Sequence, residues 1–228
     1  IGYTMVYGIL RLINFAHGDI FMLGAYITYY GIVFTSIPWW LVFIFASVIT
    51  GFIGLLLERL AYKPLRESPR ITILISAIGA SFFLENFGIV VFGGRPKAFP
   101  VPQMFNKVIK FGGVSVGVIT FIIPIVTLLL LLGLTYFITK TKTGMAMRAL
   151  SKDYETASIM GIDINKIISI TFFIGSFLAA VGGIMWGIKY PQLMPLMGVM
   201  PGIKCFIAAV IGGIGNITGA VLGGFILG

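Results

Sequence analysis

Long apolar runs separated by short polar breaks dominate this chain, and most runs have the length that a bilayer demands. About 20 apolar residues, coiled as a helix, cross the hydrocarbon core of a membrane. By that measure an apolar segment covers about 1–13, and a polar break follows at Asn14-Phe-Ala-His-Gly-Asp19. Spans are predicted at about 20–36, 38–57, 71–92, 117–139 and 167–188, with Pro38 between the first two of these. A last apolar region runs from about 203 to the end and is broken by Gly212-Gly-Ile-Gly-Asn-Ile-Thr-Gly219. About 9 apolar residues between Pro201 and Gly212 are too few to cross, so a re-entrant half-helix is expected, with Lys204 near its outer end. The chain opens on Ile1-Gly2-Tyr3 and closes on Gly223-Gly-Phe-Ile-Leu-Gly228, in both places inside an apolar run. The expectation is one transmembrane domain over 1–228, incomplete at both termini. Its class is all-α: a polytopic helical membrane protein with broken or re-entrant helices.

The polar segments give the orientation. Loop 58–70 carries Arg59, Lys63, Arg66 and Arg70, and loop 140–166 carries Lys140, Lys142, Arg148, Lys152 and Lys166. Two spans separate these loops, so they belong on one side, and together they hold nine of the sixteen basic residues. Segment 93–116 lies opposite with four, and 189–202 adds only Lys189. The positive-inside rule then makes loops 58–70 and 140–166 cytoplasmic, in a multi-pass protein of the plasma (inner) membrane. Segment 93–116, with three prolines and two Gly-Gly pairs, reads as an extracytoplasmic excursion containing a short hairpin.

Composition agrees. The chain is 58% hydrophobic and 10% charged, far below the roughly 25% charge of a soluble domain. The net charge of +9 is explained by residues flanking apolar spans, so no nucleic-acid partner is inferred and membrane lipid is the expected surroundings. A single cysteine, Cys205, and a single histidine, His17, exclude an internal disulfide and argue against a metal site.

The longest charge-bearing stretch, 140–166, contains helix signals. Ser151 is a good N-cap, and Asp153 and Glu155 fit the first turn, where acids suit the positive end of the helix dipole. Gly161 stops the helix as a left-handed C′ residue. Asp163 or Asn165 can cap the next helix, which runs into the membrane. The reading is a short helix of about two turns lying on the cytoplasmic face, with Ala157, Ile159 and Met160 available to dock.

Two polar sites fall within apolar regions. The Asn14–Asp19 break either lines a wet cavity, as irregular backbone at membrane depth must when it is not buried in protein, or forms an interfacial turn near Arg11 with Asn14 and Asp19 as caps. Glu85-Asn86 sits beyond the middle of the 71–92 span, where an acid costs roughly 2.5–3.5 kcal/mol and therefore needs a partner. Asn14, His17, Glu85 and Asn86 are thus candidate translocation-path residues, the alternative for Glu85 being a structural hydrogen bond to another helix. Gly215, Gly219 and Gly223 form successive small-x-x-x-small pairs, as do Gly183 and Gly187, for close helix packing; the Gly212–Gly219 region reads as a kink in one membrane helix.

Glu155-Thr-Ala157-x-x-x-Gly161 is similar to the Glu-Ala-Ala-x-x-x-Gly loop of ABC importer permeases, with Thr156 in place of the second Ala and without the later Ile-x-Leu-Pro element. Gly2-Tyr-Thr-Met-Val-Tyr-Gly8, Ile13-Asn-Phe-Ala-His-Gly-Asp19, Met145-Ala-Met-Arg-Ala-Leu-Ser151 and Gly212-Gly-Ile-Gly-Asn216 resemble the branched-chain amino acid permease family, and more closely the smaller of its two permease types. The resemblance implies a second permease subunit, two cytoplasmic ATPase subunits and an extracytoplasmic substrate-binding protein. It also implies ATPase coupling through Ser151, Asp153, Glu155, Ala157, Met160 and Gly161. No Gly-Lys dipeptide of a phosphate-binding loop occurs, so no cofactor is expected in this chain and ATP with Mg is expected on partner subunits. No catalysis is expected here. The alternative function is a self-sufficient secondary transporter or channel for a small polar solute, which would need no docking helix.

Overall fold

Helices form where the apolar runs are, and polar or glycine-rich interruptions decide where each one stops. The computed structural model describes residues 1–10, 14–111 and 114–227; Arg11 and the Gly112-Gly113 pair fall outside the described residues. The first helices are α1 (Gly2–Leu10), α2 (His17–Phe34), α3 (Trp39–Leu57) and α4 (Arg70–Phe92). Then come α5 (Val118–Lys140), α6 (Lys142–Lys152), α7 (Tyr154–Ile159), α8 (Ile164–Lys189), α9 (Val199–Ile211) and α10 (Ile217–Leu227). Among the described residues, four helical stretches are long and apolar enough to cross a membrane: Trp39–Leu65, α4, α5 and α8. The fold is all-α and polytopic, as the apolar pattern predicts.

α2 begins three residues earlier than its apolar run. The His17 amide donates to the Asn14 carbonyl (3.3 Å) and the Ile20 amide to the Ala16 carbonyl (3.0 Å). His17-Gly18-Asp19 is therefore the first turn of α2, where Asp19 suits the positive end of the helix. α3 runs past Leu57 through a π-helical turn, Glu58–Tyr62, and a 3₁₀ turn, Lys63–Leu65. Pro64, which has no amide hydrogen to continue the ladder, sits in that last turn.

α8 stands at the centre, packed on α1, α2 and α3. Small residues bring these backbones together. A Cβ on Gly183 would lie 2.1 Å from the Phe21 carbonyl oxygen of α2, and one on Gly24 would lie 2.6 Å from Ala180. Gly54 of α3 lies against Ser176, and Gly187 lies against the Phe99 ring.

The last region folds back on itself instead of kinking. Gly213 and Gly215 have φ of 87° and 90°, a left-handed backbone that reverses the chain between α9 and α10. Gly219 then packs against Gly212, and Gly223 against Ala208, so the two helices lie antiparallel. Gly215 meets Gly8 of α1. At 13 residues, α9 is about 20 Å long, short of the roughly 30 Å of a hydrocarbon core. The half-helix length expected from the sequence is what the structure shows.

Loops 58–70 and 140–166 lie at one end of the bundle, tied together by Arg66 donating to Asn165 Oδ1. This is the basic end. At the opposite end β2 (Val108–Phe111) and β3 (Val114–Gly117) form the expected hairpin, with Ile109 opposite Val116. A second, unexpected pairing joins β1 (Lys97–Ala98) to β4 (Gln192–Leu193). Each end has its own buried cluster. Tyr26, Phe99, Ile184 and Leu193 anchor the one near the strands, and Tyr62, Met147, Ile168 and Phe172 the one at the basic end.

Candidate functional site

At the basic end the 140–166 segment is mostly helical, not a loop with one short helix. Thr141 caps α6 by accepting from the Gly144 amide (3.0 Å), and Gly144, Met147 and Leu150 form its buried stripe. Ser151 lies within the last turn of α6, its hydroxyl on the Arg148 carbonyl (2.8 Å), and does not cap the next helix. Asp153 has that role. Its Oδ1 accepts from the Glu155 and Thr156 amides (3.0 and 3.2 Å), and its other oxygen accepts from the Thr156 hydroxyl. Those contacts, the Thr156 hydroxyl foremost, hold the Asp153 carboxyl below its usual range. A carboxyl lowered on folding contributes stability above its unfolded titration range and loses it as pH falls through the folded value. Asp153→Ala should therefore speed hydrogen exchange of the Glu155 and Thr156 amides several-fold at neutral pH. In the parent the same loosening should appear only on acidification below the carboxylate range. Equal exchange in both proteins at neutral pH would show that the cap has no such effect.

Gly161 ends the segment at φ 78°, a left-handed position in which a side chain is strained. Asp163, not Asn165, caps α8 by accepting from the Lys166 amide (3.0 Å). α7 is thus a six-residue helix fixed at both ends. Only Ala157 is buried, in the basic-end cluster beside Met147, Leu150 and Tyr62. Glu155 is exposed, and so are Tyr154, Ile159 and Met160, at 51%, 85% and 76%. An apolar surface on a polar-sequence segment outside the spans is the feature of an interaction site.

A cavity of about 290 Å³, open to the outside of the bundle where Phe82 and Ile203 are exposed, lies among α1, α2, α4 and α9. Its polar lining is Tyr3, Asp19, Ser81 and Glu85; Phe15, Ile78, Phe82, Val199, Ile203 and Phe206 supply most of the rest. Gly18 sits against Gly198 and Gly202, where a Cβ on Gly18 would lie 2.4 Å from the Gly198 carbonyl oxygen. The first turns of α2 and of the short helix α9 meet there. The Ser81 hydroxyl donates to Asp19 Oδ2 (2.5 Å).

Of the four residues suggested for the path, only Glu85 lines this cavity. Asn14 is buried and accepts the Tyr62 hydroxyl on Oδ1 (2.9 Å), tying the start of α2 to the end of α3. His17 is buried edge-on to Tyr3, with ring centroids 5.6 Å apart, and its Nδ1 has no hydrogen-bond partner among the described residues. Asn86 is exposed and donates to the Phe82 carbonyl of its own helix (2.7 Å). Asp19, Ser81 and Tyr3 are what sequence reasoning missed. The one available signal was that Asp19, like Glu85, is an acid adjoining a long apolar run.

A second missed constellation ties the end of α3 to α8. Glu58, fully buried on the π turn, forms an ion pair with Arg66 and accepts from the Ser169 hydroxyl (2.9 Å). Among the described residues no group of three or more His, Cys, Asp or Glu is gathered to hold a metal.

The whole chain, residues 1–228, matches the family model described as branched-chain amino acid transport system / permease component. It is 42% identical to the high-affinity branched-chain amino acid transport system permease protein BraD of Pseudomonas aeruginosa, covering 100% of this chain and 78% of that one. The same coverage holds, at 43% identity, for the protein LivH of Escherichia coli, which carries the same description. A probable branched-chain amino acid transport permease protein LivH of Methanocaldococcus jannaschii is 28% identical over 100% of this chain and 73% of its own. No solved structure matches.

Proposed function

The chain belongs to the family of branched-chain amino acid transport permease components, and we propose that it is one of the two membrane subunits of an ATP-driven importer carrying branched-chain amino acids across the plasma membrane. The observation that carries this reading is α7, a short capped helix that exposes Tyr154, Ile159 and Met160 at the basic end while its one buried side chain, Ala157, enters the core. Positive charge concentrated at that end makes it the cytoplasmic side. Two ATPase subunits dock there, supplying ATP and Mg, and a substrate-binding protein delivers solute at the opposite end. The second permease subunit completes the pathway.

Force applied to α7 has a packed route inward. Ala157 shares its cluster with Tyr62, and the Tyr62 hydroxyl holds Asn14, just before the first turn of α2 at the cavity. ATP-driven closure of the partner subunits shifts α6 and α7, and that shift reaches α2 through these contacts. Alternating access follows when two packings of the bundle are stabilised by the two nucleotide states.

The test is reconstitution. Vesicles holding both permeases, both ATPases and the binding protein should accumulate leucine against its gradient with internal or external ATP on the ATPase side, and vesicles holding this chain alone should not. Accumulation by the chain alone, driven by an ion gradient, would replace the importer with a self-sufficient secondary transporter.

A further inference from the structure

We propose that the cavity among α1, α2, α4 and α9 receives the primary ammonium group of the transported amino acid against Asp19 and Glu85, with its aliphatic side chain packed against Phe82, Ile203 and Phe206. This rests on the importer reading above and adds to it the chemistry by which the membrane subunit holds its cargo.

Three observations converge. First, two carboxyl groups line one cavity while, among the described residues, no Lys, Arg or His does. Asp19 is 3% exposed, and among the described residues the Ser81 hydroxyl is its side-chain hydrogen-bond partner. A neutral hydroxyl orients a carboxylate but does not balance its charge, and uncompensated buried charge is costly. A cation that arrives with the solute provides the balance and leaves with it. Second, Tyr3 lines the same cavity at 6% exposure, and its hydroxyl has no hydrogen-bond partner among the described residues. A buried unmatched hydroxyl on a lining residue is a donor and acceptor still open to a polar group that enters. Third, the remaining wall is apolar, and the volume of about 290 Å³ is close to the roughly 300 Å³ at which ligand pockets begin. The ammonium group and branched aliphatic body of the amino acid match that lining, and its carboxylate falls to the amides at the first turns of α2 and α9, which reach the same cavity at Gly18, Gly198 and Gly202.

Cation selectivity and transport are tested separately, in the complete reconstituted transporter with the native thiol removed by Cys205→Ser. Ile78→Cys places a reporter in the cavity, and Phe34→Cys places a control at an exposed position on α2. The ratio of labelling rates for aminoethyl over sulfonatoethyl methanethiosulfonate should be about tenfold higher at the cavity than at the control. Asp19→Asn should cut the difference about threefold or more, and Asp19→Glu should restore it. Leucine uptake should fall about tenfold or more in Asp19→Asn with the subunits still co-purifying. Equal ratios at both cysteines in the parent, or parental leucine uptake by Asp19→Asn, would overturn the proposal. Should Asp19→Asn fail to assemble, Glu85→Gln carries the same test, with a roughly threefold drop in the ratio expected and an unchanged ratio overturning it. If the native complex labels with cation preference but neither hydrolyses ATP nor accumulates leucine, the importer reading fails and the cavity's preference stands.

Discussion

Glu58→Ala should destabilise the protein by about 3–5 kcal/mol, measured as thermal unfolding in detergent, because it leaves Arg66 facing a buried gap. Glu58 is fully buried and is held from two sides, by Arg66 just past the 3₁₀ turn and by Ser169 from α8. Arg66 in turn reaches Asn165 at the start of α8. One carboxylate therefore fastens the end of α3 to the central helix α8, next to the segment proposed to meet the ATPases. Arg66→Ala should cost a comparable amount by orphaning Glu58. The double variant should cost clearly less than the two single changes added together, since removing both charges removes the unpaired one. Strict additivity would show that the pair contributes only as two separate side chains.

Gly161→Pro should cut leucine uptake about tenfold or more in the complete transporter while ATP hydrolysis continues. Proline fixes φ near −65°, whereas Gly161 sits at 78°. It also removes the Gly161 amide that donates to the Ser158 carbonyl (3.0 Å). The residue before a proline is pushed out of the helical region, yet Met160 stands at φ −73° and ψ 5°. The exit from α7 is therefore re-aimed, and with it the exposed Ile159 and Met160. Asn, which tolerates the left-handed region, is the control: Gly161→Asn should remain within about twofold of the parent. Uptake unchanged by proline would mean that the geometry of α7 has no part in coupling.

Much of this fold was legible because crossing a membrane imposes a length and an apolarity that survive in any single sequence. The spans near 38–57, 71–92, 117–139 and 167–188 correspond to α3, α4, α5 and α8. Cap chemistry was nearly as readable: Gly161 and Asp163 stop and start helices by local rules. Ser151 was misread because it and Asp153 are both good cap residues two positions apart. The choice between them was made by α6, whose basic, amphipathic sequence resembles a solvated loop. Gly212–Gly219 was ambiguous for a similar reason. Glycines permit a kink and a reversal equally, and the packing of Gly219 on Gly212 selects the reversal. The cavity was the least legible part. Asp19, Ser81 and Tyr3 come from three helices, and no local spacing announces that they meet. Glu58 and Arg66 stand eight residues apart, and their meeting depends on the π turn and the turns after it.

The contact of Gly18 with Gly198 bears on how solute passes. Two chain passages touch there backbone to backbone, with no side chain between them to reorient. Such a seam does not open by small adjustments, because separating it exposes main chain without a replacement neighbour. On the facing wall, α4 reaches the same cavity through the side chains of Ile78, Ser81, Phe82 and Glu85, and the Ser81 hydroxyl can let go of Asp19 by a rotation about one bond. In the proposed pathway the α2–α9 seam therefore travels as one body, and the side-chain contacts with α4 are the ones that part.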